Sequence, residues 1–332
     1  MLETMRAAWF EEFGPAVKVL TVGEQPMPFM ESGQVLVRLE TSGVNPSDVK
    51  KRAGSFPNLL DTGLVIPHSD GAGVIESVGK GVADGRIGER VWVYQAQYGR
   101  RFGTAAEYVA IDDCRAVSLP DDTSFEIGAC LGIPAMTAHR CVFADGPVDG
   151  QTILVTGGAG RVGHYAIQWA RQAGARVITT ACEPEDEHGC IEAGADATVS
   201  HREPDWAAAV LGKNDGHPVD RVIDVEFGAN LPEVLKLIRP GGTIATYSST
   251  QVSEPRLPFF QMMYLDLTIH FVIVYAMPEA AKQLAIADIS DKLANNNLKH
   301  RIARTVPLSE IAHAHELIEQ GGFRGCVVLT LN

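Results

Sequence analysis

A chain of 332 residues is too long for one hydrophobic core, because single cores stop growing near roughly 250 to 300 residues, so two domains are expected. Hydrophobic residues make up 45% and charged residues 21% of the chain, which excludes a disordered or collagen-like protein. The 28 basic and 41 acidic residues give a formal charge of −13, which disfavours nucleic acid and anionic membranes as partners because both need a basic face.

The sequence also disfavours a membrane or secreted protein. No window has the roughly 18 to 20 uninterrupted apolar residues of a membrane span, and the beginning, MLETMRAAWFEEFG, lacks the basic then apolar order of a signal peptide. We therefore expect a cytoplasmic protein with no membrane partner. The six cysteines are scattered without a C-x-x-C pair, so reduced and mostly buried thiols are expected.

Up to about Pro120 the sequence predicts a β-rich module of short strands and frequent turns. Strands are expected at QVLVRLETSGV, GAGVIESVG, RVWVY and AAEYVAI, which are separated by Gly, Pro, Asn and Asp. From about Phe125 the units become longer, with helical segments at SFEIGACLG and around PAMTAHRCVF. A domain border is therefore expected near residue 128.

From Gln151 the pattern alternates between strands and helices. The order is TILVT, a helix from Arg161, RVITTA, a helix ending at EAGA, then ATVS, DWAAAVLG, RVIDVE, NLPEVLKLIRPGG and TIATYSS. Alternation at this spacing predicts a parallel sheet covered by helices on both faces. The run LTIHFVIVYA is expected to add a sixth, fully buried strand.

The last segment combines two helical patterns with two strand patterns. The helical patterns are PEAAKQLAIADISDKLA and LSEIAHAHELIEQG, with strand-like HRIARTVP between them and GCVVLTL at the end. This tail can extend the second domain or return to the first, and the pattern leaves both arrangements open.

The stretch ILVTGGAGRVG carries the most specific motif of the chain. Residues 158–163, GAGRVG, satisfy G-x-G-x-x-G, follow a predicted strand and open a predicted helix, which is the context of a dinucleotide-binding turn. The first glycine is expected to permit the tight turn, the second to let the backbone approach a pyrophosphate, and the third to let the helix pack on the strand. A glycine turn that holds no ligand is the alternative.

The choice between NAD and NADP depends on the end of the second strand, where an acid accepts from a ribose hydroxyl and a base pairs with a 2′-phosphate. This strand is predicted to end at Ala181 and to run into CEPEDEHG, whose four acids would repel a phosphate. His201 and Arg202, after the third strand, are the opposing signal. The acids favour NAD and the basic pair favours NADP, and solvated loop residues are the alternative for both groups.

Six stretches in order resemble the zinc-independent quinone oxidoreductases, the zeta-crystallin branch of the medium-chain dehydrogenase/reductase superfamily. They are TSGVNPSD, PHSDGAGVIESVGKGV, GTAAEYVAI, LGIPAMTAHRCV, ILVTGGAGRVG and VSHRE, and the match extends over essentially the whole chain. The resemblance implies an α/β fold with a GroES-like β-rich substrate domain over residues 1–128 and a Rossmann domain with a doubly wound parallel sheet over 129–271. It further implies a C-terminal segment, 272–332, that returns to the substrate domain, and NADPH in the cleft between the two domains.

Compared with zinc-dependent relatives, this chain has Ser42 in place of a cysteine, Ser69 in place of a histidine, and no four-cysteine lobe after the strand that ends near Tyr94. Thiolates and imidazoles are the ligands that define a zinc site, so hydroxyls in their place argue against a metal and against activation of an alcohol by a Lewis acid. No metal site is therefore expected. His68, next to Ser69, is expected to be a loop histidine.

The resemblance also implies site residues, with Asn45 and Asp48 in the substrate cleft. Lys50 stands where the family often has a tyrosine beside the nicotinamide, Asp186 stands where some bacterial members have a lysine for the 2′-phosphate, and Arg161 stands where many relatives have glycine. The expected cofactor-binding residues are Thr137, Gly157, Gly158, Ala159, Gly160, Arg161, Val162, Gly163, Cys182, His201, Arg202, Tyr247, Ser248, Ser249, Val272, Ile273 and Val274.

Together these features predict hydride transfer from NADPH, or from NADH, to a quinone or a related conjugated carbonyl compound. Asn45 is expected to bond the acceptor oxygen, and Lys50, if it points inward, to stabilise that oxygen or act as an acid; a solvated lysine is the alternative. An enoyl or alkenal double-bond reductase is an alternative enzyme, and a non-enzymatic dinucleotide-binding protein, a sensor or crystallin-like protein, is an alternative of another class.

The apolar run LTIHFVIVYA also bears on assembly. An apolar strand at the edge of a sheet must be covered or paired, so this run predicts oligomerisation. The resemblance implies a homodimer joined through that edge.

Overall fold

The computed structural model describes residues 4–331. The strands in these residues are β1 (Thr4–Trp9), β2 (Thr21–Pro26), β3 (Gln34–Val44), β4 (Asp70–Val78), β5 (Arg90–Val93), β6 (Tyr108–Asp112), β7 (Ala116–Ser118), β8 (Thr152–Val155), β9 (Arg176–Thr180), β10 (Ala197–Val199), β11 (Val219–Asp224), β12 (Ile238–Thr246), β13 (Thr268–Phe271), β14 (Ile302–Pro307) and β15 (Cys326–Thr330). The α-helices are α1 (Ala16–Val19), α2 (Pro46–Arg52), α3 (Phe125–Gly128), α4 (Met136–Phe143), α5 (Arg161–Gln172), α6 (Pro184–Glu192), α7 (Trp206–Lys213), α8 (Phe227–Leu237), α9 (Phe259–Tyr264), α10 (Glu279–Ala294) and α11 (Ile311–Gln320). Short 3-10 segments and one π-helical segment, Leu131–Ala135, lie between them.

The chain divides into two compact units. One unit joins the first part of the chain, up to Ile133, with the last part, from Ile286, and the other runs from Pro134 to Ala285. The tail therefore belongs to the first unit from Ile286 onward, which is one of the two arrangements left open by its pattern. The chain passes from one unit to the other after Ile133 and again after Ala285. The domain borders expected after residues 128 and 271 stay a prediction.

The first unit is built on a seven-stranded sheet of order β14-β15-β3-β4-β5-β7, with β6 also paired to β3. The long strand β3 is antiparallel to β4, β6 and β15, so a strand near the end of the chain joins the sheet of this unit. Strands β1 and β2 form a separate antiparallel pair. Val35, Val37 and Leu39 alternate along β3 and are buried in the core of this unit. The predicted β-rich module is thereby confirmed, and β3 has the predicted bounds.

The second unit contains a six-stranded sheet of order β10-β9-β8-β11-β12-β13, in which every neighbouring pair is parallel. The strand order reverses at β8, which has β9 on one side and β11 on the other. This reversal is the topological switch point at which doubly wound folds bind their ligands. The Rossmann prediction is therefore confirmed, and the glycine turn follows β8 at the switch point.

The sixth strand differs from the prediction. Only Thr268–Phe271 of the apolar run forms β13, and its residues are exposed or half-buried. Phe271 and Ile273 are 70% and 52% exposed. The prediction of a fully buried strand was wrong because β13 is the last strand of the sheet and pairs only with β12 among the described residues.

The helices of the described residues 4–331 are too short or too polar to cross a membrane.

Candidate functional site

Asn45 and Asp48 are fixed to each other at the start of α2, directly after the end of β3. Pro46 occupies the first helical position, where its missing N–H costs nothing. The backbone N–H of Asn45 donates to Asp48 Oδ2 at 2.9 Å, as in a capping box. The side chains are only 3% and 1% exposed, so both polar groups lie inside the unit.

Asp70, at the start of β4, holds the Asn45 side chain. Asn45 Nδ2 donates to Asp70 Oδ2 at 2.9 Å, and the backbone N–H of Ile133 donates to the same oxygen at 2.8 Å. Asp70 Oδ1 is buried without a hydrogen-bond partner among the described residues. Gly132 leaves room for it, since a Cβ there would lie 2.1 Å from Oδ1. One N–H of the Asn45 amide bonds Asp70, and the amide carries a second.

The charges of this cluster are strongly perturbed. Burial raises the pKa of Asp70 to about 8, although the hydrogen bond from Ile133 opposes the rise. Lys51 is 5% exposed, and its Nζ donates to the carbonyl of Gln97 at 2.9 Å. Burial lowers the pKa of Lys51 overall, although the carboxylate of Asp48 opposes the fall. Asp70 is therefore largely a neutral carboxylic acid at pH 7.

The buried lysine of α2 is Lys51, whereas Lys50 is exposed. The catalytic role of Lys50 stays a prediction. On a helix, residues three and four apart share a face, and the buried face of α2 carries Asp48, Val49 and Arg52. Lys50 lies on the far side of the helix from these three residues.

A chain of buried hydrogen bonds surrounds Ser42, where zinc-dependent relatives are expected to have a cysteine. Ser42 Oγ lies 2.8 Å from His68 Nδ1 and 2.8 Å from Thr104 Oγ1. Thr104 Oγ1 donates to the carbonyl of Asp70 at 2.6 Å. Because Thr104 has one proton to give, Ser42 donates to Thr104, and His68 Nδ1–H donates to Ser42.

A second histidine, His315, continues this chain of hydrogen bonds. His68 Nε2 lies 2.9 Å from His315 Nε2, so His68 accepts the N–H of His315 there. Burial lowers the pKa of His68 well below its usual value and that of His315 to about 3. His68 is thus a fully buried loop histidine with a φ of 76°. Within residues 4–331, no three His, Cys, Asp or Glu side chains are grouped so that they could hold a metal ion.

The glycine turn is held against the end of β9. The backbone N–H of Gly157 donates to Thr180 Oγ1 at 2.8 Å, and that of Gly158 donates to the Thr180 carbonyl at 3.2 Å. Gly157 has a φ of 65°, in the left-handed region that favours glycine. The tight-turn role expected of Gly158 therefore falls to Gly157.

Gly158 and Gly163 are required for close packing. A Cβ on Gly158 would lie 2.0 Å from Thr179 Oγ1, and a Cβ on Gly163 would lie 2.3 Å from the Gly157 carbonyl. At Gly160, which caps α5, the nearest atom would be 3.1 Å away. The residues thus leave a cradle at the beginning of a 12-residue helix, where N–H groups and the helix dipole favour an anion. This cradle fits the pyrophosphate of a dinucleotide.

The non-glycine residues of the turn differ in how far they are buried. Ala159 is 6% exposed, whereas Val162 is half-buried. Arg161, also half-buried, is the first residue of α5, and its charge lowers the pKa of Tyr247, although burial raises that pKa well above its usual value overall. The guanidinium of Arg161 therefore acts electrostatically on a residue that follows β12.

Beyond the ends of β9 and β10 lies a cluster of polar groups. Cys182 Sγ lies 3.1 Å from His201 Nδ1, and Arg202 Nη1 donates to Glu183 Oε1 at 2.5 Å. Burial and the charge of Arg202 lower the pKa of His201. Asp186 is buried, with 5% exposure, on α6. The expected basic pair is thus engaged with partners from the segment after β9.

A pocket of about 460 Å³ lies at the carboxyl ends of β12 and β13. Five of the expected cofactor residues line it together: Tyr247, Ser248, Ser249, Val272 and Ile273. The rings of Phe227 and Phe271, which also line it, meet edge to face with centroids 5.5 Å apart. Thr137 and Val274 are buried at 5% and 4% exposure and are not among its lining residues.

Asp224, which ends β11 at the switch point, is a polar residue that was not predicted from the sequence. Its Oδ1 accepts from Thr156 Oγ1 and from Asn230 Nδ2, each at 2.7 Å. Thr156 Oγ1 in turn accepts from the backbone N–H of Val225 at 3.0 Å. Burial raises the pKa of Asp224, against the opposing effect of these hydrogen bonds. Asp224 thereby ties the segment after β8 to the segment after β11.

Comparisons with known proteins cover both units. Residues 31–121 match the alcohol dehydrogenase GroES-like domain, and residues 162–291 match the family described as zinc-binding dehydrogenase. The chain is 30% identical over 334 residues to the quinone oxidoreductase of Homo sapiens, with 98% of each chain covered. A mycobacterial protein solved in complex with NADPH is 26% identical, with a TM-score of 0.86 over 98% of this chain and 100% of that chain. The quinone oxidoreductase of Coxiella burnetii is 26% identical, with a TM-score of 0.85 over 99% of this chain and 100% of that chain.

A GroES-like β-rich unit together with a Rossmann unit, whose glycine turn lies at the switch point, defines a medium-chain dehydrogenase/reductase. Within that superfamily the chain belongs to the quinone oxidoreductase family, whose members are NAD(P)H-dependent oxidoreductases.

Proposed function

We propose that this protein transfers a hydride from NADPH, or from NADH, to a quinone or another conjugated carbonyl compound without using zinc. The observation that carries the proposal is the glycine turn at the switch point, whose cradle fits a pyrophosphate. The quinone oxidoreductase of Homo sapiens, 30% identical, supports the class of acceptor. The mycobacterial structure with NADPH, 26% identical, supports the cofactor.

The Rossmann unit would hold the cofactor through residues of five segments. The backbone of residues 157–163 would bind the pyrophosphate, with Arg161 over it, and His201 and Arg202 would bind on the adenosine side. Tyr247–Ser249 and Val272–Val274, with Thr137, would border the nicotinamide. When bound, the nicotinamide supplies the hydride.

Asn45 is the proposed donor to the acceptor oxygen. Asp70 and the start of α2 hold the side chain in one orientation, so its second N–H can be aimed without losing freedom on binding. Reduction adds a hydride to one atom of the acceptor and a proton from solvent to its oxygen. The Asn45 N–H stabilises the negative charge on that oxygen until the proton arrives. A neutral Asp70 adds no repulsion to this charge.

The test is turnover by the purified protein with NADPH or NADH and a panel of quinones, enones and alcohols. We expect oxidation of the reduced cofactor with quinones or other conjugated carbonyls. Faster reduction of the carbon–carbon double bond of enones than of quinones would instead identify an alkenal or enoyl reductase. Cofactor binding without turnover of any acceptor would identify a non-enzymatic protein. Turnover of alcohols with added zinc, and of no conjugated acceptor, would contradict the proposal.

We also propose that the protein is a cytoplasmic homodimer whose partners are its small-molecule substrates, with no nucleic acid or membrane partner. The exposed edge of β13, with Phe271 70% exposed, supports pairing of two copies through this strand. The formal charge of −13 supports the exclusion of nucleic acid and anionic membranes.

A further inference from the structure

We propose that Glu183 and Arg202 together set the preference between NADPH and NADH, through an ion pair that opens for a ribose 2′-phosphate and stays closed over a 2′-hydroxyl. The inference rests on the proposed function, because it takes the glycine turn of residues 157–163 as the dinucleotide site. It adds a role for Glu183, whose carboxylate weakens the binding of NADPH and accepts a hydrogen bond from the ribose 2′-hydroxyl of NADH.

The placement of the pair follows from the sheet. The glycine turn is bonded to Thr180, the last residue of β9, and the N–H of Ala181 donates to the Val199 carbonyl at 3.0 Å. The segments after β9 and β10 are therefore neighbours beside the turn. In dinucleotide-binding folds the adenosine ribose lies at the end of this second strand, and an acid or base there recognises its 2′ position.

The residues at this place offer both kinds of recognition. Ala181 directly follows the strand and carries no carboxylate, so Glu183 is the first acid after β9. Its Oε1 accepts from Arg202 Nη1 at 2.5 Å, and the two side chains are 49% and 65% exposed. An ion pair this exposed contributes little to stability and can be opened by a competing anion.

The two cofactors make different demands on this pair. A 2′-phosphate carries two negative charges and binds an arginine bidentately, so it competes with Glu183 for Arg202 and is repelled by the released carboxylate. A 2′-hydroxyl donates to a carboxylate and leaves Arg202 bound to Glu183. NADPH therefore binds at the expense of the ion pair, whereas NADH binds without breaking it.

The test measures binding rather than turnover. The dissociation constants of 2′,5′-ADP and 5′-AMP, which carry the two kinds of ribose, are measured by calorimetry for the full chain. The variants are Glu183→Gln, Arg202→Gln and, as a matched control, Glu185→Gln, which removes the same charge from an exposed residue of the same segment. Glu183→Gln should tighten 2′,5′-ADP roughly two- to fivefold, the range expected from loss of an exposed ion pair, and should weaken 5′-AMP. Arg202→Gln should weaken 2′,5′-ADP roughly tenfold, as expected for loss of a charge-assisted hydrogen bond.

The control variant and the wild type distinguish failure of the role given to Glu183 from failure of the proposed function. Glu185→Gln should change both ligands by the same small factor. An equal change for both ligands in Glu183→Gln, or an equally large change of their ratio in Glu185→Gln, would overturn the role of Glu183 and leave the proposed function in place. Absence of binding of NADPH, NADH and both fragments to the wild type would overturn the proposed function itself.

Discussion

Asp70 is a fully buried carboxyl group that bonds the residue proposed to donate to the acceptor. Its pKa of about 8 means that it is neutral through most of the neutral range and ionises as the pH rises through 8. An ionised Asp70 would place negative charge next to the Asn45 amide, against the charge that develops on the acceptor. We therefore expect kcat/KM of the wild type to fall as the pH rises through about 8.

Asp70→Asn tests this assignment because an asparagine imitates the neutral acid. The variant should keep most of its activity at pH 7 and should lose the fall of kcat/KM above pH 8. The matched control is Glu76→Gln, an exposed position on the same strand, which should keep the wild-type profile. A fall of kcat/KM at high pH that persists unchanged in Asp70→Asn would contradict the role given to Asp70.

The paired histidines His68 and His315 make the first unit sensitive to acid. Their pKa values lie below the 6.5 of an unfolded histidine, that of His315 at about 3, because both rings are buried. Below pH 6.5 the unfolded chain therefore binds protons at these histidines that the folded protein does not bind. For His315 the stability contribution is complete above pH 6.5 and is lost as the pH falls from 6.5 toward 3, by about 1.4 kcal/mol per pH unit. The lowered pKa of His68 adds to this loss in the same direction.

His315→Gln, followed by denaturant unfolding between pH 7 and 4.5, measures this effect. As the pH falls, the free energy of unfolding of the variant should decrease less steeply than that of the wild type. The difference in slope should correspond to about one proton. His217→Gln, which removes an exposed histidine, should leave the slope unchanged. Equal slopes in wild type and His315→Gln would refute the buried neutral pair.

At the scale of single residues, the sequence predicts the polar groups of a motif better than the groups that support them. Asn45 and Asp48 were implied by the resemblance, and they do form one capped helix start. Lys51 and Asp70 were missed, because their burial depends on strands and segments that are distant in sequence, such as Gln97 and Ile133. The available signal for Asp70 was a carboxylate at the start of a strand whose next residues, GAGVI, are apolar and glycine-rich.

The glycine turn and α5 act as one element. Gly163→Ala would bring a Cβ within 2.3 Å of a backbone carbonyl that cannot yield, so α5 must move away from the turn. We expect dinucleotide affinity to fall by roughly tenfold or more, about 1.4 kcal/mol, as measured by fluorescence titration with NADPH. Gly212→Ala, in open space on α7, should leave affinity unchanged and raise stability by about 0.5 to 1 kcal/mol. Unchanged affinity in Gly163→Ala would contradict the close packing of the turn.

The edge strand β13 is the proposed contact between two copies. A charge on an exposed edge strand opposes pairing, so Phe271→Glu should convert the dimer to a monomer of 35.7 kDa in light scattering at micromolar concentration. Phe29→Glu, at a residue that is 86% exposed on the other unit, should leave the dimer intact. A wild-type monomer at that concentration, or a dimer that survives Phe271→Glu, would rule out this contact.

At the scale of elements, periodicity predicted most strands and helices of the Rossmann unit because each is a regular apolar run between glycine, proline or polar breaks. One strand that differs from its prediction, β13, shows the limit of periodicity as a signal. An apolar run is consistent with a buried strand or with an edge strand that a second copy covers, and only the order of strands in the sheet separates the two. The same order decides that the glycine turn lies at the switch point.

At the scale of the whole molecule, the two ends of the chain fold together. Val327–Thr330 of β15 pair with Thr41–Val44 of β3, and His315 of α11 bonds His68. The sequence pattern of the tail did not show which sheet the tail joins, because the pattern of a short strand does not identify the strand with which it pairs. The resemblance supplied the return to the first unit, and the sheet order accords with it.

We propose above all that the chain reduces conjugated acceptors with a nicotinamide dinucleotide held at its glycine turn. The most direct measurement is the anaerobic reaction of the purified wild type with NADPH and a para-quinone, in which cofactor oxidised and hydroquinone formed are both counted, with Asn45→Ala alongside. We expect one hydroquinone for each NADPH, and a kcat reduced roughly tenfold or more in Asn45→Ala, in line with loss of one donor to a developing negative charge. NADPH that stays reduced with quinones and enones alike, while an alcohol is oxidised with added zinc, would contradict it.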